Sequence, residues 1–202
     1  MKNILVWGGG ILAAFLVAAL CLGTVMNFLF GMAAVKNGDW HTSLLAGDAG
    51  ADPYSKAAVA VGGLLAARLQ DSMYYRINTL EGQPLKANCD YRVEGKDLDA
   101  NWWSITAYGP DHLLMPNPID RYSFNNANLQ RSSDGSFVIH LSSEKQAGNW
   151  LPIGKVRRPG SWLFGSGGQD FDLLLRIYQP GRAYLDNPGS APLPRLVKEV
   201  CR

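Results

Sequence analysis

The sequence predicts a mainly β protein: an antiparallel, jelly-roll-like β-sandwich behind one N-terminal transmembrane helix and a short extra helix. Three observations carry this reading. From Asn3 to Val35 no side chain is charged and nearly all are apolar or small. Beyond Gln70 the chain breaks into short alternating or β-branched runs separated by turn signals, the pattern of sheet rather than bundle. The composition agrees, with 22 glycines, 11 prolines, 10% aromatic residues and only 18% charged residues, a balance that favours turns and strands.

Residues 1–35 read as the membrane anchor. A hydrocarbon core of ~30 Å needs ~20 helical residues, and the apolar run is longer than that. A cleaved signal peptide has a shorter apolar part, ~7–15 residues. A lipoprotein signal would use Cys21, but Leu20 is bulky where a small residue is wanted. Small residues recur every fourth position, at Gly10, Ala14 and Ala18 and again at Ala19, Gly23, Asn27 and Gly31. Such stripes suit a weak homodimer through the helix; a monomeric anchor rich in Gly and Ala is the simpler account. Lys2 and Lys36 nearly balance across the span, so the positive-inside rule decides little. The large C-terminal domain points to a bacterial inner-membrane protein whose C-terminal domain is periplasmic.

Residues 36–53 read as a linker, with Trp40 and His41 at the membrane interface. Residues 54–202 form the β-sandwich domain with its leading short helix. Asp52 caps that helix, Pro53 suits its first position, and helix formers run on to Leu69, weakened by Gly62-Gly63. Strands are expected at 73–78, 89–94, 102–108, 122–125, 137–141 and 171–178. In the third, Trp103, Ile105 and Ala107 point one way and Trp102, Ser104, Thr106 and Tyr108 the other. Asp134-Gly135 is a hairpin signal. The run 171–178 is nearly all apolar except Asp172 and Arg176, which suits a central strand.

Several pieces, in order, resemble the bacterial family called domain of unknown function 1214. They are Trp103-Ser104-Ile105-Thr106-Ala107-Tyr108, Arg121-Tyr122-Ser123, Asp134-Gly135-Ser136, Asn149-Trp150-Leu151-Pro152 and Leu175-Arg176-Ile177-Tyr178-Gln179-Pro180. The similarity covers roughly Met73 to Pro194. Larger family members carry a second domain, 1254, in front; here a membrane helix and a short helix stand in its place. The resemblance implies a β-sandwich in an envelope or membrane context and no particular reaction. The stretch from Ile153 to Asp170 departs from the family pattern and reads as a basic loop.

The chemistry is sparse. The charges, +2 net, are dispersed, so no nucleic-acid partner is expected. No phosphate loop, zinc-type cysteine pair or His-Glu-x-x-His occurs, and neither a cofactor nor a metal is expected. His41, His112 and His140 share no ligand spacing. A triad of Ser104 or Ser123 with His112 and Asp120 can be drawn on paper, without a nucleophile-elbow sequence. No catalytic residue is assigned, and the enzyme question leans to no. Cys89 and Cys201, the two cysteines outside the anchor, are either a disulfide that ties down the tail or two free thiols.

The better candidates are arginines among aromatics. Arg121 and Arg176 offer planar donors for an anion, with Trp103, Tyr108 and Tyr178 as walls. The plainer account of Arg176 is an internal bridge that fastens the sheets, to Asp172 on the same strand face or to a backbone carbonyl. Arg157, Arg158 and Trp162 are candidate membrane contacts in the basic loop, or part of a solvated loop. The expected role is that of a membrane-tethered domain that binds a small ligand, lipid component or envelope partner. The alternatives are a membrane-bound enzyme, such as a hydrolase, and a structural or assembly protein.

Overall fold

A computed structural model of the chain describes residues 2–32, 34–45, 47–61, 67–154 and 170–202. It begins with helix α1, Lys2–Met32. Its 31 residues give a length of about 46 Å at ~1.5 Å per residue. The described side chains along it, among them Trp7, Ile11, Phe15 and Leu20, are exposed. Among the described residues no helix is long and apolar enough to cross a membrane.

The segment expected as a linker begins instead with a hairpin. Strands β1 (Ala34–Asn37) and β2 (Trp40–Ser43) pair antiparallel, turning at Gly38, whose φ of +60° suits glycine. Trp40 is buried and its indole N–H donates to Pro194 O at 2.7 Å. It therefore anchors the hairpin in the core rather than sitting at a membrane interface. Strands of four residues are too short to leave a clear alternation in the sequence.

Helix α2, Pro53–Val61, follows. Asp52 caps it as expected: its carboxylate accepts from the Tyr54 and Ser55 amides at 2.9 and 3.1 Å. Of the expected continuation to Leu69, residues 62–66 lie outside the described residues and 67–69 are not helical.

The remaining strands are β3 (Ser72–Ile77), β4 (Thr79–Leu80), β5 (Gln83–Pro84), β6 (Cys89–Lys96), β7 (Ala100–Tyr108), β8 (Ser123–Asn125), β9 (Ser136–Ser142), β10 (Asn149–Pro152), β11 (Asp172–Pro180) and β12 (Arg195–Cys201), with helix α3 (Arg182–Asp186) before the last. They form a six-stranded sheet, ordered β1-β2-β3-β11-β7-β8, and a four-stranded sheet, ordered β10-β9-β6-β12. A small β4–β5 hairpin stands apart. All pairings are antiparallel except β9–β10, which is parallel.

The inner faces of the two sheets make the core, the usual arrangement of a sandwich. Tyr75 and Ile77 of β3, Trp103 and Ile105 of β7, and Leu173, Leu175 and Ile177 of β11 are fully buried on one side. Val93 of β6, with Phe137, Ile139 and Leu141 of β9, answers from the other. Trp103 stacks on Phe137 with ring centroids 5.2 Å apart. Tyr91 meets Phe171 edge to face at 5.5 Å.

The C-terminal strand is fastened twice. Cys89 and Cys201 are cross-strand partners of β6 and β12 and are joined by a disulfide. Beyond it Arg202 forms ion pairs with Asp90 and Glu144 at 2.6 and 3.4 Å, and its amide donates to Asn88 O at 2.8 Å.

Candidate functional site

Strand β11 is the middle of the six-stranded sheet, and its alternation decides which residues meet. Leu173, Leu175 and Ile177 fill the core, so Asp172, Leu174, Arg176 and Tyr178 project from the outer face. Directly opposed residues share a face, which fixes their neighbours. Asp172 stands opposite Tyr108, Leu174 between Thr106 and Arg76, Arg176 between Ser104 and Tyr74, and Tyr178 between Trp102 and Ser72. His41 of β2 extends the second of these rows beyond Arg76, and Lys36 of β1 extends it further.

Two arginines on this face lean towards the Asp172–Tyr108 end. Arg176 donates to Thr106 Oγ1 at 3.2 Å and also to the Tyr108 hydroxyl, and its guanidinium lies 5.5 Å from the centre of the Tyr108 ring. Arg76 ion-pairs through Nε with Asp172 Oδ2, and its Nη2 meets His112 Nδ1 at 2.9 Å. A guanidinium only donates, so that contact makes Nδ1 the acceptor and leaves the proton of the neutral ring on Nε2. His112 is held there by a tight loop, with φ at +59° and its amide donating to Gly109 O at 3.0 Å. That conformation is uncommon for a residue with a β-carbon.

Asp172 is buried, and its Oδ1 receives no hydrogen bond among the described residues. Burial pushes its carboxyl above the ordinary value, and the Arg76 charge offsets only part of that. His41 moves the other way for a base: burial first, then Arg76 and Lys36, hold it below the usual histidine range. Arg176 differs from Arg76 in having no carboxylate partner among the described residues. Among the described residues two of its five N–H donors are used, both on neutral oxygens.

At the other end of the face, Trp102 and Tyr178 meet edge to face, with centroids 5.3 Å apart and planes 63° apart. Tyr178 is 38% exposed, and Trp102 is half-buried.

The residues singled out from sequence are only partly brought together. Arg176, Tyr108 and Tyr178 share the outer face. Trp103 cannot line a pocket there: it is fully buried on the inner face, donating from Nε1 to Asp97 at 2.7 Å. Its neighbour Trp102 holds the outer position, as strict alternation requires. The bridge expected from Arg176 to Asp172 is made by Arg76 instead. Arg121 lies elsewhere, at the seam between the sheets, 5.2 Å over the Phe124 ring and donating to Trp150 O at 3.4 Å. Arg157, Arg158 and Trp162 lie outside the described residues. No group of His, Cys, Asp and Glu suited to a metal ion occurs among the described residues. Sequence reasoning missed Arg76 altogether. Its signal was a lone charge flanked by two aromatic residues and an isoleucine in Tyr74-Tyr75-Arg76-Ile77.

Residues 71–182 match the family model described as protein of unknown function (DUF1214), and the chain belongs to that family. No curated protein matches it. Among solved structures it is similar to the VPA0106 protein from Vibrio parahaemolyticus, with a TM-score of 0.56 and 21% identity over 75% of this chain and 36% of that one. An uncharacterized protein from Burkholderia cenocepacia aligns with a TM-score of 0.44 and 17% identity over 90% of this chain and 41% of that one. The first likeness bears on the fold alone. The chain spans little more than a third of the first structure's length and about two-fifths of the second's.

Proposed function

We propose that this chain is a membrane-tethered β-sandwich that binds a small anionic ligand on the outer face of its six-stranded sheet. The observation that carries the reading is Arg176. It is a half-buried cation held by a threonine and a tyrosine hydroxyl, with no carboxylate partner among the described residues. A guanidinium with free donors beside an aromatic ring is suited to a carboxylate or phosphate. Arg76 adds a second positive charge, partly offset by Asp172.

Tethering rests on α1: a helix of 31 residues with no charge after Lys2, whose described large apolar side chains are exposed. The Cys89–Cys201 disulfide suits an oxidising compartment. That supports a bacterial inner-membrane anchor with the domain on the periplasmic side.

The full chain in detergent micelles, warmed with a panel of small carboxylates and phosphates, tests the binding. At least one should raise the melting temperature of the native chain and leave Arg176→Gln unmoved. If no anion discriminates the two, the anion site is wrong. A second reading has one observation behind it. The raised carboxyl of Asp172 lies near His112, an arrangement a hydrolytic enzyme would use for proton transfer. Turnover of an ester or glycoside panel that Asp172→Asn abolishes would favour it.

A further inference from the structure

We infer that the ligand of the outer face is an acidic oligosaccharide lying lengthwise along β11. This rests on the anion-binding reading and names the substrate class for the same site.

The face is a track rather than a point. The aromatic corner of Trp102 and Tyr178 stands at one end, and the Arg176 guanidinium at the level of Thr106 and Tyr108. Tyr178 and Leu174, which faces Thr106, are four positions apart on β11. At ~3.3 Å per residue that is about 13 Å along the strand. A single small anion held by the guanidinium would leave the aromatic corner untouched. A linear ligand of a few linked rings reaches both.

The geometry of the corner decides which kind of ring. Flat aromatic ligands are gripped by parallel walls, but these planes stand 63° apart. A saturated sugar ring is thick and carries C–H groups on its face and rim. It can lay one apolar side against each wall of a corner while its hydroxyls stay wet. Tyrosine and tryptophan suit this, since each pairs an apolar body with a polar tip. Tyr74, half-buried, flanks the middle of the track beside Arg176, over the buried Ser104. Asn125, opposite Ser104 on β8, adds an amide at the edge. The charge at the far end then selects a carboxylate-bearing sugar over a neutral one. Arg176 has donors to spare, whereas the nearby Arg76 is already paired with Asp172.

The test uses the full chain in detergent micelles and isothermal titration with three probes: a galacturonic acid tetramer, the neutral maltotetraose, and citrate. The tetra-acid should bind at least about tenfold tighter than maltotetraose. Trp102→Ala should weaken it by about tenfold, while Trp102→Phe, which keeps a ring, retains most of the binding. Arg176→Gln should erase the preference for the acid. Unchanged melting temperatures of the variants show that the fold is intact. Citrate binding as tightly as the tetramer, with neither affected by Trp102→Ala, would overturn the saccharide and leave the anion site standing. Equal binding of the acidic and neutral tetramers would overturn the acidic requirement. Binding of none of the three, together with no response to any anion in the melting panel, would remove both proposals.

Discussion

At the scale of residues, Arg76 links two titrating neighbours that respond to pH with opposite sign. Asp172 has a carboxyl raised above its ordinary 3.8, so the native state holds a proton that the unfolded chain has released. This group's contribution to stability is therefore present below pH 3.8 and is lost as pH rises through the raised native value. His41 is held below its ordinary 6.5, so the unfolded chain takes up a proton first. Its contribution is present above pH 6.5 and is lost as pH falls through the depressed value. Urea midpoints measured across the acid range should separate the two. Asp172→Asn should remove the loss on raising the pH above 3.8; His41→Gln should remove the loss on lowering it below 6.5. Arg76→Met should push Asp172 higher still and let His41 return towards its usual range, because the arginine charge acts on both. An Asp172→Asn midpoint that runs parallel to the native chain's through the acid range would mean that the carboxyl titrates normally. The outward position of Asp172 and Arg176 was readable from alternation in β11. The partner of Asp172 was not, since Arg76 comes from a strand nearly a hundred residues earlier and meets it only through register.

At the scale of elements, legibility followed the strength of each strand's pattern. In β7 apolar and polar residues alternate from Trp103 to Ala107, and its two faces are the expected ones even though all five of these residues are buried. β9 and β11 likewise carry enough apolar side chains to declare themselves. β12 does not: of Arg195–Cys201 only Leu196 is buried, so its sequence resembles a polar tail. β10 has four buried residues in a row, and periodicity cannot assign such a run to a strand, still less to a parallel one. A strand so poorly endowed with apolar contacts as β12 depends on its fastenings. The disulfide closes a loop with a sequence separation of 112 residues, and loss of a native cross-link costs about 2–5 kcal/mol, towards the upper end for a long loop, chiefly by freeing the unfolded chain. Cys89→Ser with Cys201→Ser should lower the unfolding free energy by that amount in urea titrations. Hydrogen exchange should quicken first at β12 and at the residues of β6 that face it. A loss below about 0.5 kcal/mol would show that the Arg202 pairs and the β6–β12 ladder hold the strand without the cross-link.

At the scale of the whole molecule, helix α1 and the sandwich are closely joined along the chain. β1 begins at Ala34, two positions after α1 ends at Met32, and its hairpin is pinned into the core by Trp40. A chain tethered by α1 would therefore hold its sandwich close to the bilayer, with no long linker between them. The side on which the sandwich lies then follows from its thiols. Cys21 sits in α1; with Cys21→Ser in place, only Cys89 and Cys201 can react. Intact cells treated with a membrane-impermeant thiol reagent should label these two only after reductant is added. That result places the domain outside the cytoplasm, where a cross-strand disulfide persists, and gives the outer face of the sheet access to an envelope ligand. Labelling that requires lysis but no reductant would put the domain in the cytoplasm with free thiols. The orientation and the oxidised pair would then fall together, because a reducing compartment opposes both. Recovery of the chain in the soluble fraction after lysis, with no extraction by detergent needed, would remove the tether itself.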